Sequence, residues 1–244
     1  MTRQGVAWQS TAPMVQLLIA ETFISVQGEG VLAGTPSFFI RTAGCNLRCH
    51  FCDTPYTSWN TQGTLTPLDA VIAPLDAAPK VRHVVLTGGE PLIAKGLGPL
   101  VDALVARGLH VTVETAGTVF VPLPIQLWSV SPKLASSRPG PEHAPWDSRH
   151  EATRLAPDAL RAFAASGVPV QWKFVVGSER DLAEIDALVR DLGLLAQDVL
   201  LMPEGTQLAE LDAVARWLVP ACIARGMRYC DRLHIRLFGH TPGT

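Results

Sequence analysis

Apolar and polar positions alternate in several short runs along the chain, and between them apolar residues recur every three or four positions. The segments "QLLIAETFIS" (16–25) and "SFFIRTAG" (37–44) are rich in strand formers and predict two strands. Thr66, Pro67 and Asp69 together predict a helix start, as an N-cap, a proline at the first helical position and a first-turn acid. "HVVLTGG" (83–89) predicts a buried strand. Leu97, Leu100, Val101, Leu104 and Val105 then follow helical spacing until Gly108. The alternation continues with strands at 109–115, 125–131, 170–176 and 198–204. Helices are predicted over 158–166, after Ser178 with Leu182, Ile185, Leu188 and Val189 on one face, and through Trp217. "DRLHIRLFG" (231–239) alternates and predicts a closing strand. Residues 134–154 form the only long linker-like stretch and predict a surface loop beside the site.

Strand and helix in turn predict parallel strands joined by crossover helices. About six such units fall short of a closed eight-unit barrel, so the α/β class expected is a partial (β/α)6 barrel rather than a doubly wound sheet. A single domain over residues 1–244 is expected, with 1–14 as a flexible N-terminal extension. The composition agrees: 48% of the 244 residues are hydrophobic and 17% charged, ample for a sizeable core. The net charge of -2 has no polybasic signature, so direct contact with nucleic acid or a membrane surface is not expected. No apolar run reaches the roughly 18 residues of a membrane span. The N-terminus shows no export signal, and unpaired thiols suit the reducing cytoplasm, the expected location.

In parallel α/β proteins function collects where strands run out into loops. Here those ends read "RTAGCNLRC", "TGGEP", "ETAG", "SPK", "KFVV" and "MPEG", small and polar almost throughout. Each residue alone has a bland reading: Arg41 as a surface ion-pair partner, "QGEG" as a turn, Lys133 as a solvated loop residue, His234 as a core histidine. Their joint occurrence at successive strand ends points to one site assembled from the whole chain. The chemistry is concentrated in "CNLRCHFC", with Cys45, Cys49 and Cys52 inside eight residues. Three thiols make a poor disulfide framework but a good metal site. Zinc would need a fourth ligand, with His50 the nearby choice. Three thiolates on a cubane cluster instead leave one iron open. The CxxxCxxC spacing with aromatic Phe51 before the last cysteine favours iron–sulfur, and Cys222 and Cys230 read as small buried hydrophobes.

With "TGGEP" downstream, the cysteine loop resembles the radical S-adenosylmethionine superfamily. "ETFISVQGEG", "GTPSFFIRTAGCNLRC" and "CDTPYTSW" are more narrowly similar to the 7-carboxy-7-deazaguanine synthase family. The resemblance implies a 4Fe–4S cluster whose open iron chelates S-adenosylmethionine and cleaves it to a 5′-deoxyadenosyl radical. It implies ring contraction of 6-carboxy-5,6,7,8-tetrahydropterin to 7-carboxy-7-deazaguanine, with loss of ammonia, on the way to queuosine. Substrate contacts are implied at Val26, Gln27, Gly28, Glu29, Arg41, Thr87 and Glu114, with His234 closing the pocket. S-adenosylmethionine contacts are implied at Phe51, Cys52, Asp53, Gly89, Ser131, Pro132, Lys133, Met202, Pro203, Glu204 and Gly205. Thr54 matches the family's Mg2+-binding threonine. A homodimer and an external, flavodoxin-like electron donor are implied too. Two rivals share parts of this sequence: an activase of glycyl-radical enzymes, and a non-enzymatic iron–sulfur or zinc protein.

Overall fold

The computed structural model describes residues 15–244; the extension expected over 1–14 lies outside the described residues. The chain runs β1 (Gln16–Val26), β2 (Pro36–Thr42), α1 (Pro55–Ser58), β3 (Thr64–Pro67), α2 (Leu68–Ile72), β4 (His83–Gly88), α3 (Leu97–Ala106), β5 (His110–Thr115) and β6 (Leu127–Val130). It continues through α4 (Trp146–Thr153), α5 (Pro157–Ala164), β7 (Val170–Val176), α6 (Asp181–Leu192), β8 (Val199–Pro203), α7 (Leu208–Arg225), β9 (Arg228–Tyr229) and α8 (Leu233–Phe238). The strands form one sheet in the order β3-β1-β2-β4-β5-β6-β7-β8-β9. From β2 to β9 every pairing is parallel, and β3 and β9 remain as two open edges, the arrangement of a partial barrel.

Period-two alternation sorts the strand residues onto two faces. One face carries Phe38 and Ile40, Val84 and Leu86, Val111 and Val113, Trp128 and Val130, and Phe174 and Val176, all fully buried. Helical side chains cover this face, among them Leu100, Val101 and Leu104 of α3, Leu160 and Phe163 of α5, Ile185 of α6 and Leu218 of α7. The other face presents Arg41, Thr87, Glu114, Ser129, Lys173 and Met202 to a cavity. One residue of phase therefore separates core from site. The helix of residues 97–106 ends as expected: Gly108 takes φ +68°, and the amides of Gly108 and Leu109 return to Val105 and Leu104.

Several expectations are corrected. The first two strands are antiparallel, with Thr22 opposite Ile40, because no crossover helix lies between them. Thr66 and Pro67 do not start a helix; they end β3, paired with Leu17 and Gln16 of β1, and α2 begins one residue later. Ser178 does not cap α6 through its side chain. The Asp181 carboxylate instead accepts from the amides of Gly177 and Ser178 at 2.9 and 3.0 Å. Residues 231–239 form α8 rather than a strand, and only the two residues of β9 extend the sheet. The Leu233 amide is spent on Gly28 O at 2.9 Å, and Ile235 turns into the core at 1% exposure. Four apolar positions in nine suit either period, so alternation alone could not decide. Residues 134–154 are not a plain surface loop either, since they hold α4 and bury Ser137 and His150.

Candidate active site

A cavity of about 740 Å³ opens at the C-terminal ends of the parallel strands, within the range of small-molecule sites. The loop after β2 brings Cys45, Cys49 and Cys52 to its wall beside Leu47, Phe51 and Ala116. Backbone approach there depends on Gly89. A Cβ at that position would stand 2.2 Å from Gly44 O, the carbonyl that accepts the Glu90 amide at 2.9 Å. The Glu90 side chain is fully buried and accepts from the Leu92 and Ala116 amides and the Thr115 hydroxyl, tying the end of β4 to the end of β5. The loop is also held by Arg48, whose guanidinium donates to Cys45 O and Leu47 O at 2.8 and 2.7 Å. Trp59 donates its indole N–H to Cys49 O.

Burial pushes the Cys45 thiol up to about 11 and the Cys49 thiol up to about 12, so both need a cationic partner to ionise. Iron supplies one. A structural zinc ion would need a fourth ligand beside the three thiols. A cubane asks each thiolate to meet a different iron, which three spaced thiols around one apolar wall can do. His50 does not complete a zinc set: its ring lies edge-on to Phe51, with Nε2 3.9 Å from Glu204. Cys222 lies in the helix-covered core, and the buried Cys230 sulfur accepts the Gly30 amide at 3.0 Å. The donor set fits an iron–sulfur cluster.

Across the cavity stand the residues expected on the substrate side. Glu114 accepts from Gln27 Nε2 and Thr87 Oγ1, both at 3.1 Å, and Gln27 Oε1 accepts the Glu29 amide. Arg41 lies over the ring of Phe23, which stacks on Phe39, and its Nε donates to Glu21 at 2.7 Å. Tyr56 donates to the same Glu21 oxygen at 2.6 Å. The Arg41 Nη groups have no protein acceptor among the described residues. Glu29 is held by Lys173 and by Arg232. Burial alone would raise its pKa, but these two cations outweigh it and keep the carboxyl well below the usual range. Arg232 also pairs with Asp53 and donates to Gly205 O at 2.7 Å, so one guanidinium joins three loops. Gly28 makes room for His234, since a Cβ there would lie 2.0 Å from the ring Nδ1.

All the sequence-predicted residues line this cavity except Pro132 and Pro203; Val26, Thr54, Ser131, Lys133 and Met202 are among those that do. The Thr54 hydroxyl stands 4.0 Å from the Cys52 sulfur, and Lys133 Nζ donates to Ser131 Oγ. The sequence reading missed Glu21, Tyr56, Lys173 and Arg232. Lys173 was visible in the strand end "KFVV" and Arg232 within "DRLHIRLFG", yet neither has a local pattern that marks a buried ion pair.

A model of the Radical SAM superfamily matches residues 39–127. The chain is 51% identical over 229 residues to the 7-carboxy-7-deazaguanine synthase of Rhodopirellula baltica, covering 93% of this chain and 89% of that protein. The enzyme of the same name from Halobacterium salinarum is 46% identical, with 93% of each chain covered. Among solved structures, QueE from Escherichia coli superposes with a TM-score of 0.68 at 30% identity, covering 90% of this chain and 95% of that one. Streptococcus suis SuiB, at 13% identity and a TM-score of 0.55, shares the fold. The chain belongs to the 7-carboxy-7-deazaguanine synthase family of the Radical SAM superfamily.

Proposed function

We propose that this chain converts 6-carboxy-5,6,7,8-tetrahydropterin to 7-carboxy-7-deazaguanine, with loss of ammonia. The observation that carries this is the meeting, in one cavity, of the three-thiol wall with Arg41 and the Glu114–Gln27–Thr87 set. When bound, the cluster and S-adenosylmethionine supply hydrogen abstraction, which amino-acid side chains cannot.

The chain's own residues bind and orient. The Arg41 guanidinium, with Nε held by Glu21, offers its Nη edge to the substrate carboxylate. Glu114 and Gln27 supply acceptors for the guanidine-like edge of the pterin. Val26, Gly28, Glu29 and Thr87 complete the substrate wall, and His234 closes it. Phe51, Asp53, Gly89, the Ser131–Pro132–Lys133 stretch and the Met202–Pro203–Glu204–Gly205 stretch receive S-adenosylmethionine. The Thr54 hydroxyl contributes one ligand to Mg2+, a hard ion that keeps several waters and takes the rest from substrate oxygens.

The working protein in this reading is a homodimer of single-domain chains in the cytoplasm, reduced by a flavodoxin-like donor. Among the described residues no helix is long and apolar enough to cross a membrane. The test is anaerobic reconstitution, then incubation with S-adenosylmethionine, reductant, Mg2+ and the carboxylated pterin. Mass spectrometry should find 7-carboxy-7-deazaguanine. A preparation that holds about four irons per chain and binds S-adenosylmethionine yet makes none would overturn the proposal.

A further inference from the structure

The segment 134–154, outside the sites assigned above apart from its Lys133 neighbour, reaches the back of the cysteine loop. Trp146 and His150 stand four residues apart on α4 and so share one face. The Arg48 guanidinium lies 4.0 Å over the Trp146 ring. The Arg48 amide donates to His150 Nδ1 at 3.1 Å, so that nitrogen carries a lone pair and the ring proton sits on Nε2. Nε2 then donates to Ser137 Oγ at 2.8 Å, and Ser137 Oγ donates to Leu134 O at 2.6 Å. The Ser137 carbonyl accepts the His50 amide at 3.1 Å. Both amides flanking Cys49 are thereby committed to one brace, whose centre is solvent-free: His150 is 1% and Ser137 0% exposed.

We propose that His150 is a positioning residue for the cluster, acting through Ser137 and the Arg48 amide to hold the Cys49 turn and to withhold its amides from the cluster sulfurs. Two consequences follow from general chemistry. Partners that orient metal ligands are commonly worth about 10- to 100-fold in metal retention. Hydrogen bonds to cluster sulfurs help set reduction potential, and added donors favour the reduced, more negative form. Releasing the two amides should therefore make the cluster more labile and raise its potential. The inference rests on the three thiols holding an iron–sulfur cluster, which iron and sulfide analysis of the unmutated protein checks separately.

The experiment compares reconstituted wild type with His150→Leu, His150→Asn and Ser137→Ala. Iron release to a chelator, midpoint potential by redox titration followed by electron paramagnetic resonance, and thermal midpoint of the cluster-free protein are measured. His150→Leu should release iron about 10- to 100-fold faster and shift the potential upward. His150→Asn, whose Oδ1 stands on Cγ as Nδ1 does and can accept the Arg48 amide but cannot reach Ser137, should fall between leucine and wild type in both. Wild-type release and potential in the leucine variant overturn the proposal, as does an asparagine variant no better than leucine. Should the leucine variant not fold, Ser137→Ala decides: a shift of both readouts in the same direction supports the brace, and wild-type values for both overturn it.

Discussion

At the scale of single residues, Arg41 is the proposed anchor for the substrate carboxylate. Its guanidinium is half committed, with Nε on Glu21 and the Nη edge unclaimed among the described residues. Burial would lower its pKa, but Tyr56, Asp53 and Glu21 outweigh that, and the charge is permanent. Removing one partner of a buried charge pair typically costs roughly 2–5 kcal/mol, or about 30- to several thousand-fold in affinity. Arg41→Ala should weaken binding of the carboxylated pterin by that order while the cluster spectrum survives. The comparison ligand is the decarboxylated analogue; equal weakening of both would remove Arg41 as the carboxylate anchor. Thr54 admits a narrower test. Thr54→Val keeps the shape and removes the hydroxyl, so turnover should fall and its Mg2+ dependence change with iron content intact. An unchanged Mg2+ titration would leave Thr54 a turn residue at the start of α1.

At the scale of elements, the short α8 matters more than its length suggests. Just ahead of it, Arg232 joins the loop after β1, the cysteine loop and the loop after β8 through Glu29, Asp53 and Gly205. Each of its charged partners is buried or half-buried, so neutralising the cation leaves Asp53 unpaired and Glu29 with Lys173 alone. Arg232→Met should cost about 3–5 kcal/mol in urea unfolding of the cluster-free protein, the range for breaking buried pairs. A midpoint equal to wild type would mean that Lys173 alone balances Glu29 and that Asp53 needs no cation. The same element shows how far local pattern reaches. Strand positions 37–44, 83–89, 170–176 and 198–204 were legible because each is a short run of strand formers that ends in small or polar residues. The nine residues from 231 were not, because their period is ambiguous and the choice falls to Gly28 and the cavity.

For the whole molecule, the sheet buries ionisable groups far from the site, and pH reads them out. His83 at the N-terminal end of β4 bridges Ser37 of β2 and Thr112 of β5. Burial, and secondarily His110, push its pKa down from 6.5 to about 4. Above pH 6.5 neither folded nor unfolded chain protonates this ring, and its contribution is complete. As pH falls from about 6.5 toward 4, the unfolded chain binds a proton that the folded one refuses, and stability is lost. The share of His83 is on the order of 1–3 kcal/mol. Urea unfolding of the cluster-free protein at pH 7 and pH 5 should show that decline, and His83→Gln should reduce it. An equal decline in both proteins would place the pH sensitivity elsewhere, with His110 and His150 the next rings to test.

Covalent spacing and short-range period determined the thiol triad, the strand positions, the core face and the polar strand ends, since these depend only on neighbours along the chain. The individual substrate and cofactor residues came from the family resemblance; alternation accounts for Arg41, Thr87, Glu114 and Met202 emerging on one face of the parallel strands, and the loops bring the rest to the same cavity. Tertiary structure alone decided the antiparallel pairing of β1, the strand β3 where a helix start was expected, the turn of 231–239 into a helix, and the brace built from 134–154. It also decided the ion pairs that hold the site: Glu29 and Arg232 meet across 203 residues. A buried carboxylate is tolerable only once its cation arrives, and which cation arrives depends on how distant strands pack, which no local pattern encodes.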